Sequence, residues 1–257
     1  MASHTPSERP VRAAVGASAF AVTLTAAALL VSGCSWVEPV ATRTVAADAS
    51  VAEAVTAVEV GDVRSGSVEV TVGSGPGVRV HRTVRYRGDT EPRPGQRVSG
   101  GVLTFTEGCA DTCRIDYRLE VPASAKVKVV SSSGRVALTG VAAAEVESDS
   151  GDVRAEAIAG PLRIRTASGD VTGTALGAEA DVRSTSGDSR LDFTRAPAAV
   201  SVTARSGDVT LKVPRAPYRL ETSTDSGTRD LTLPSTPSAP SGLAIRTTSG
   251  DIRVSAL

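Results

Sequence analysis

The sequence predicts an all-β fold: a single-stacked β-solenoid of about seven coils, each roughly 18–20 residues long, led in by a β capping unit. Three observations carry that prediction. A Ser-Gly-x triplet recurs with its glycine at Gly134, Gly151, Gly169, Gly187, Gly207, Gly227 and Gly250, so neighbouring triplets stand 17 to 23 residues apart. Between triplets, apolar and polar residues alternate with a period of two, the period of a strand that buries one face. The chain holds 24 glycines and 14 prolines against one Trp, three Tyr and three Phe, a composition suited to many turns around a thin core.

Residues 1–33 read as an export signal. Arg9 and Arg12 precede the run "AAVGASAFAVTLTAAALLV", and small residues lead to Cys34 in "VSGC". The run is short for a stable membrane span, which needs about 20 apolar residues. The small pair before Cys34 resembles the lipobox of bacterial lipoproteins. That resemblance implies that the Cys34 thiol receives diacylglycerol and becomes the N-terminus after cleavage. A single acyl chain anchors only marginally, so the two or three chains of a lipoprotein give permanence. Residues 34–56 mix Ala, Val, Thr and Pro without clear period and read as the lipidated N-terminus and a flexible tether. The whole chain has 28 basic and 28 acidic residues, and cleavage leaves one more acid than base. Bulk charge therefore offers no hold on nucleic acid or on the bilayer surface.

The folded domain is expected over 57–257, with capping strands in 57–122 and the repeats in 123–257. "AVEVGDVRSGSVEVTVG" and "GVRVHRTVRY" alternate Val with polar residues, and "GDTEPRPGQ" is an exposed loop. "GGVLTFTEG" and "CRIDYRLEVP" read as strands on either side of Cys109 and Cys113. In an exported chain this even pair is expected to form a disulfide. Its loop is very small, so the entropic gain is roughly 2 kcal/mol. A metal site would need two further ligands, and His81 is the one histidine left after processing.

Each repeat unit holds two short alternating strands. Val153, Ala155, Leu162 and Ile164 point inward in one unit, and Val200, Val202, Val209, Leu211 and Val213 in later ones. Arg154, Glu156, Arg163, Arg165, Ser201, Thr203, Thr210 and Lys212 point outward. No unit has enough apolar surface to fold alone, but stacked units bury a continuous core. Turns such as "SGD" are too short for crossover helices, so each strand is expected to pair with its sequence neighbours above and below. At about 4.8 Å per coil, seven coils make a rod of roughly 34 Å. A β-sandwich, which also has short strands every 8–12 residues or so, is the structural rival.

Catalytic signals are sparse. Gly-x-Ser-x-Gly, His-Glu-x-x-His and phosphate-loop patterns do not occur. His81 reads as an exposed strand histidine, and no aromatic residue recurs with the repeat as a sugar platform would. The column Asp152, Asp170, Asp188, Asp208 and Asp251 is a possible cation site, because carboxylates about 4.8 Å apart repel by about 1 kcal/mol even in water. The calcium β-roll nonapeptide is absent, however, and Arg154, Arg190 and Arg253 each stand two residues after one of these aspartates. The structural reading makes the triplet a corner: Gly supplies the turn conformation, and Ser and Asp satisfy turn amides.

The lipobox, the "GC…C" pair leading into "DYRLEVP", and the repeated "SSG" and "SGD" units together resemble the DUF4097 family over about residues 57–255. The resemblance implies an extracytoplasmic β-solenoid with an adhesin label that rests on repeat architecture. "SSSGR" and "DSGTRD" depart from the pattern, since Arg135 and Thr228 stand where other units have Asp. The expected protein is a non-enzymatic, adhesin-like module anchored by lipid to the outer face of the bacterial cytoplasmic membrane. No cofactor is expected; the partners would be the membrane, through the lipid, and a surface protein or glycan. A structural or stress-response accessory without a ligand is the alternative, and an enzyme acting on surface polysaccharide the third reading.

Overall fold

The computed structural model describes residues 41–106, 108 and 113–257. The expected signal segment, Cys34 and Cys109 lie outside the described residues. From Lys126 to Val213 the chain winds as predicted. Strands β8 (Lys126–Ser133), β10 (Ala143–Ser150), β12 (Leu162–Ser168), β14 (Ala180–Ser186) and β16 (Ala199–Ser206) pair in parallel in one sheet. Their partners β9 (Val136–Thr139), β11 (Val153–Glu156), β13 (Val171–Leu176), β15 (Ser189–Phe193) and β17 (Val209–Val213) pair in parallel in the other. One strand from each sheet makes a coil, and the Ser-Gly triplet is the corner between them. A β-sandwich, built from antiparallel hairpins, is thereby excluded.

Strict register turns the period-two pattern into columns. Val129, Val146, Ile164, Val182 and Val202 stack on neighbouring strands, each at most 1 % exposed. Every residue predicted to point inward is buried. Coil after coil thus removes aliphatic side chains from water, at about 25 cal/mol per Å² of apolar surface. Two positions break the rule. Gly173 leaves a gap that the Leu176 and Leu191 side chains fill. Phe193 is fully buried in mid-rod beside Leu176, where the register between β13 and β15 shifts.

Order along the axis departs from order along the chain at both ends. At the C-terminal end, β20 (Gly242–Ser249) and β21 (Ile252–Ala256) insert between the β16/β17 coil and the coil of β18 (Arg219–Ser226) and β19 (Arg229–Leu231). The physical reason lies in the inward residues. Leu243, Ile245, Ile252 and Val254 need a neighbour on both sides and are at most 1 % exposed, whereas Leu220, Thr222 and Thr224 tolerate the open end. The segment after β19 closes part of that end, where Tyr218 bridges Ser235.

At the N-terminal end, β2 (Ala57–Ser65) and β3 (Val68–Val72) lie between the β8/β9 coil and one made of β6 (Val102–Thr106) and β7 (Cys113–Val121). Part of the expected capping unit therefore consists of two further coils. True capping comes from antiparallel strands: β4 (Val78–Arg87) on β7, and β5 (Gly95–Ser99) on β6. Tyr86, Phe105 and Tyr117 fill this wider end, with the Phe105 and Tyr117 rings 5.1 Å apart.

Part of the stretch read as a tether is a strand. Thr42–Val51 forms β1, paired antiparallel along the whole of β4. Val45, Ala47, Ala49 and Val51 alternate toward the core side; Ala46 on the outer face blurred the period.

Candidate functional site

The corner glycines form one unbroken column. Their φ values run from +109° at Gly187 to +151° at Gly227, outside the range of ordinary side-chain-bearing residues. A second constraint is the stacking itself. A Cβ on Gly169 would strike the carbonyl oxygen of Gly151 and lie 2.7 Å from its carbonyl carbon; each repeat glycine meets the glycine of an adjacent coil in the same way. Gly66 belongs to this column, beneath Gly134, and was missed by the sequence reading. The signal was present in "RSGSVEV", a Ser-Gly between two alternating runs. The opposite corner is looser: Ala157 and Ala175 occupy it at φ 53°.

The aspartates form a ladder beside the glycines. Asp152 Oδ1 accepts the Asp170 N–H at 3.3 Å, Asp170 Oδ1 that of Asp188 at 2.9 Å, and Asp188 Oδ1 that of Asp208 at 3.0 Å. Asp208 then accepts from Asp251, and Asp251 from Thr228, both at 2.9 Å. Each carboxylate satisfies the turn amide of the next coil in space. This accounts for one departure from the repeat. Thr228 sits in the terminal coil, beyond which, among the described residues, no further corner amide follows. Asp116 does the same at the other end, accepting from the Ser67 N–H and hydroxyl.

Neighbouring cations hold the second oxygens of Asp188, Asp208 and Asp251. Arg190 reaches Asp188 at 3.0 Å, and Arg253 reaches both Asp251 at 2.8 Å and Asp208 at 3.2 Å. Arg154 makes no ion pair among the described residues; Arg135 of the adjoining coil approaches Asp152 at 4.0 Å instead. The hydrogen bonds from Thr228, backbone first and then hydroxyl, lower the Asp251 pKa, with help from Arg253. For Asp116 burial pulls upward, but the Ser67 hydrogen bonds and Arg114 outweigh it, and the pKa lies below the ordinary carboxylate value. Among the described residues no three His, Cys, Asp or Glu side chains converge as a metal site would require.

Two residues before each corner serine lies another column: Ser131, Ser148, Thr166, Ser184, Ala204, Thr247 and Thr224 in spatial order. Most of these hydroxyls donate to corner carbonyls, as Thr166 does to Ser168 at 3.1 Å and Thr224 to Gly250 at 3.0 Å. The fuller motif is therefore Ser/Thr-x-Ser-Gly, legible in "SDSGD", "TASGD" and "STSGD" but masked by Ala204. His81 lies on the outer face of β4, half exposed, with Nδ1 2.6 Å from Asp48 on β1. Asp48, His81, Arg118 and Glu69 stand in one row across four strands and border an open groove of about 710 Å³. Cys113 opens β7 and is buried, but its expected partner lies outside the described residues.

The protein class these features define is a β-solenoid whose repeated motif is spent on holding its own corners. The chain belongs to the DUF4097 family, described as Toastrack DUF4097, which matches residues 63–255. Among solved structures, it is similar to a "putative cell adhesion protein" from Clostridium sporogenes, with 10 % identity, 84 % of this chain and 100 % of that one covered, and a TM-score of 0.40. It is also similar to a "putative adhesin" from Bacteroides fragilis, with 11 % identity, 84 % and 97 % coverage, and a TM-score of 0.43. No curated protein matches the chain.

Proposed function

We propose that the protein is a lipid-anchored, non-enzymatic binding module of the bacterial cell envelope, displayed on the outer face of the cytoplasmic membrane. The observation that carries this reading is the occupation of the repeated motif. Every Asp of the column gives an oxygen to a backbone amide within the rod, so the motif is not a row of free carboxylates poised for chemistry. What the fold offers outward is two sheet faces with one coil's side chains set in register over the next, suited to extended contact with a protein or glycan. Family membership supports the same reading, and so does the lipobox sequence at Cys34. A bridge between Cys109 and Cys113 would pin the start of β7.

With β1 beginning at Thr42, only seven residues separate it from Cys34. The lipidated domain would then stand within about 27 Å of the bilayer even with those residues fully extended. Membrane fractionation of cells expressing the full chain tests the anchor: the unaltered protein is expected in the membrane fraction and Cys34→Ala in the soluble one. Retention of Cys34→Ala with the membrane would refute the anchor. Binding is tested by incubating purified protein with washed envelope fragments; absence of any retained protein would refute the module.

A further inference from the structure

The outer face of the strands from β12 to β20 concentrates positive charge, whereas β10 beside them carries Glu145, Glu147 and Asp149. Arg165 on β12 stands directly beside Arg183 on β14. Arg183 is in register with Thr203 on β16, and Thr203 with Arg246 on β20. Arg205, two residues beyond Thr203 and therefore on the same face, supplies the arginine of the coil that Thr203 leaves without one. Four consecutive coils thus each present at least one exposed guanidinium, the β12 coil two (Arg163 and Arg165), at a step of about 4.8 Å along the axis.

These charges are weakly compensated within the chain. Arg165 approaches Glu147 only to 3.7 Å, Arg183 approaches Asp181 to 3.5 Å, and Arg246 approaches Glu221 to 3.6 Å. Arg205 has no ion-pair partner among the described residues. Like charges directly opposite on neighbouring strands are unfavourable, and an external anion relieves them. Beside the arginines runs an open groove of about 410 Å³, bordered by Arg165 and Arg183 on one side and by Glu147 and Asp149 of β10 on the other, with small side chains such as Ala167, Thr185 and Thr203 on its floor. Its hydroxyls can donate to and accept from a polar ligand lying across the strands.

We propose that this face binds an acidic polysaccharide bearing one carboxylate per sugar ring, laid along the stacking axis with one ring to each coil. The proposal rests on the reading of the protein as an envelope-binding module and names the ligand chemistry. Two features favour this occupant. A pyranose ring advances a glycan by about the step of one coil, so carboxylates on successive rings meet Arg165 and Arg183 and, beyond the Thr203 coil, Arg246, with Arg205 two residues to one side of the row. Guanidinium groups also match carboxylates in a two-point hydrogen-bonded fork, as they do phosphates, so the polyphosphate and dextran sulfate arms of the test decide between the anions.

The test uses the full-length protein in detergent micelles and polygalacturonate as the probe, with neutral dextran, dextran sulfate and inorganic polyphosphate alongside. Polygalacturonate is expected to bind, and to weaken as salt rises. The combined variant R165Q/R183Q/R205Q/R246Q is expected to lose about tenfold or more in affinity while melting at the temperature of the unaltered protein. A charge-matched control on the other sheet, R79Q/R118Q/R154Q/R190Q, is expected to lose less than about threefold. No binding to polygalacturonate, equal losses in the two variants, or equal or tighter binding of dextran sulfate or polyphosphate would overturn the proposal. Retention of the protein on envelope fragments without polygalacturonate binding would sink this site alone. No retention on envelope fragments would sink the module reading instead.

Discussion

Gly169→Ala is the most direct probe of the corner. The residue lies at φ +119°, where a side-chain-bearing residue is strained by about 1–3 kcal/mol. Its added Cβ would also collide with the carbonyl group of Gly151, standing 2.7 Å from the carbon and closer still to the oxygen. Neither neighbour can withdraw cheaply, because the Gly151 amide donates to Ser168 and Asp170 is tied to Asp152. Opening one such rung costs about 1 kcal/mol, and a buried group left unpaired costs more. The expected loss is therefore about 3–5 kcal/mol, a large part of the stability of an ordinary domain. Gly88→Ala is the internal reference: its φ is +104°, yet nothing lies within 4 Å of its would-be Cβ. That variant isolates conformational strain and should lose only about 1–3 kcal/mol. Urea unfolding followed by circular dichroism measures both. Equal losses at Gly169 and Gly88 would refute the stacking argument and leave only the turn conformation.

Three further outcomes follow from the same geometry. Asp170→Asn keeps an acceptor for the Asp188 amide and should change stability by less than about 0.5 kcal/mol, whereas Asp170→Ala should cost about 1 kcal/mol. A rise in melting temperature on adding calcium, abolished by Asp170→Asn, would show instead that the column holds a cation. Asp116 and Asp251 have lowered folded-state pKa values, so their contribution is present above the ordinary carboxylate pKa, about 3.9, and is lost as pH falls through the lowered values. A melting temperature that declines toward pH 3, with a shallower decline in Asp116→Asn, is the expected result; an unchanged slope would contradict it. Ser189 is fully buried between Val171 and Val209, and its hydroxyl has no hydrogen-bond partner. Removing it in Ser189→Ala should stabilise the protein by about 1 kcal/mol, and a lower thermal midpoint would count against that accounting.

Local pattern made much of the fold legible. Alternation assigned Val153, Ala155, Leu162, Ile164 and the Val200–Val213 set to the core, because a strand's two faces are fixed by parity alone. The repeated glycine located the corners for a related reason: only one residue type fits that φ. Parity was readable where the two faces differed in polarity and failed in β1, where Ala46 faces outward between inward Val45 and Ala47, so the strand passed for a tether. The candidate site was legible in part. Residues of the aspartate ladder could be named from sequence, but not their acceptor role, since each hydrogen bond joins residues 18 to 43 positions apart.

By itself, then, the sequence determined the coil: its length, its inward and outward faces, and the glycine on which it turns, all properties of neighbouring residues. The tertiary structure alone decided the order in which coils stack. Two coils with compatible corners can exchange places without changing any local conformation. The choice falls to burial, which sends Leu243 and Ile245 inside and leaves Thr222 and Thr224 at the rim. That choice sets which amide Asp251 receives, why Thr228 needs no carboxylate, and which arginines meet in one row across the outer face.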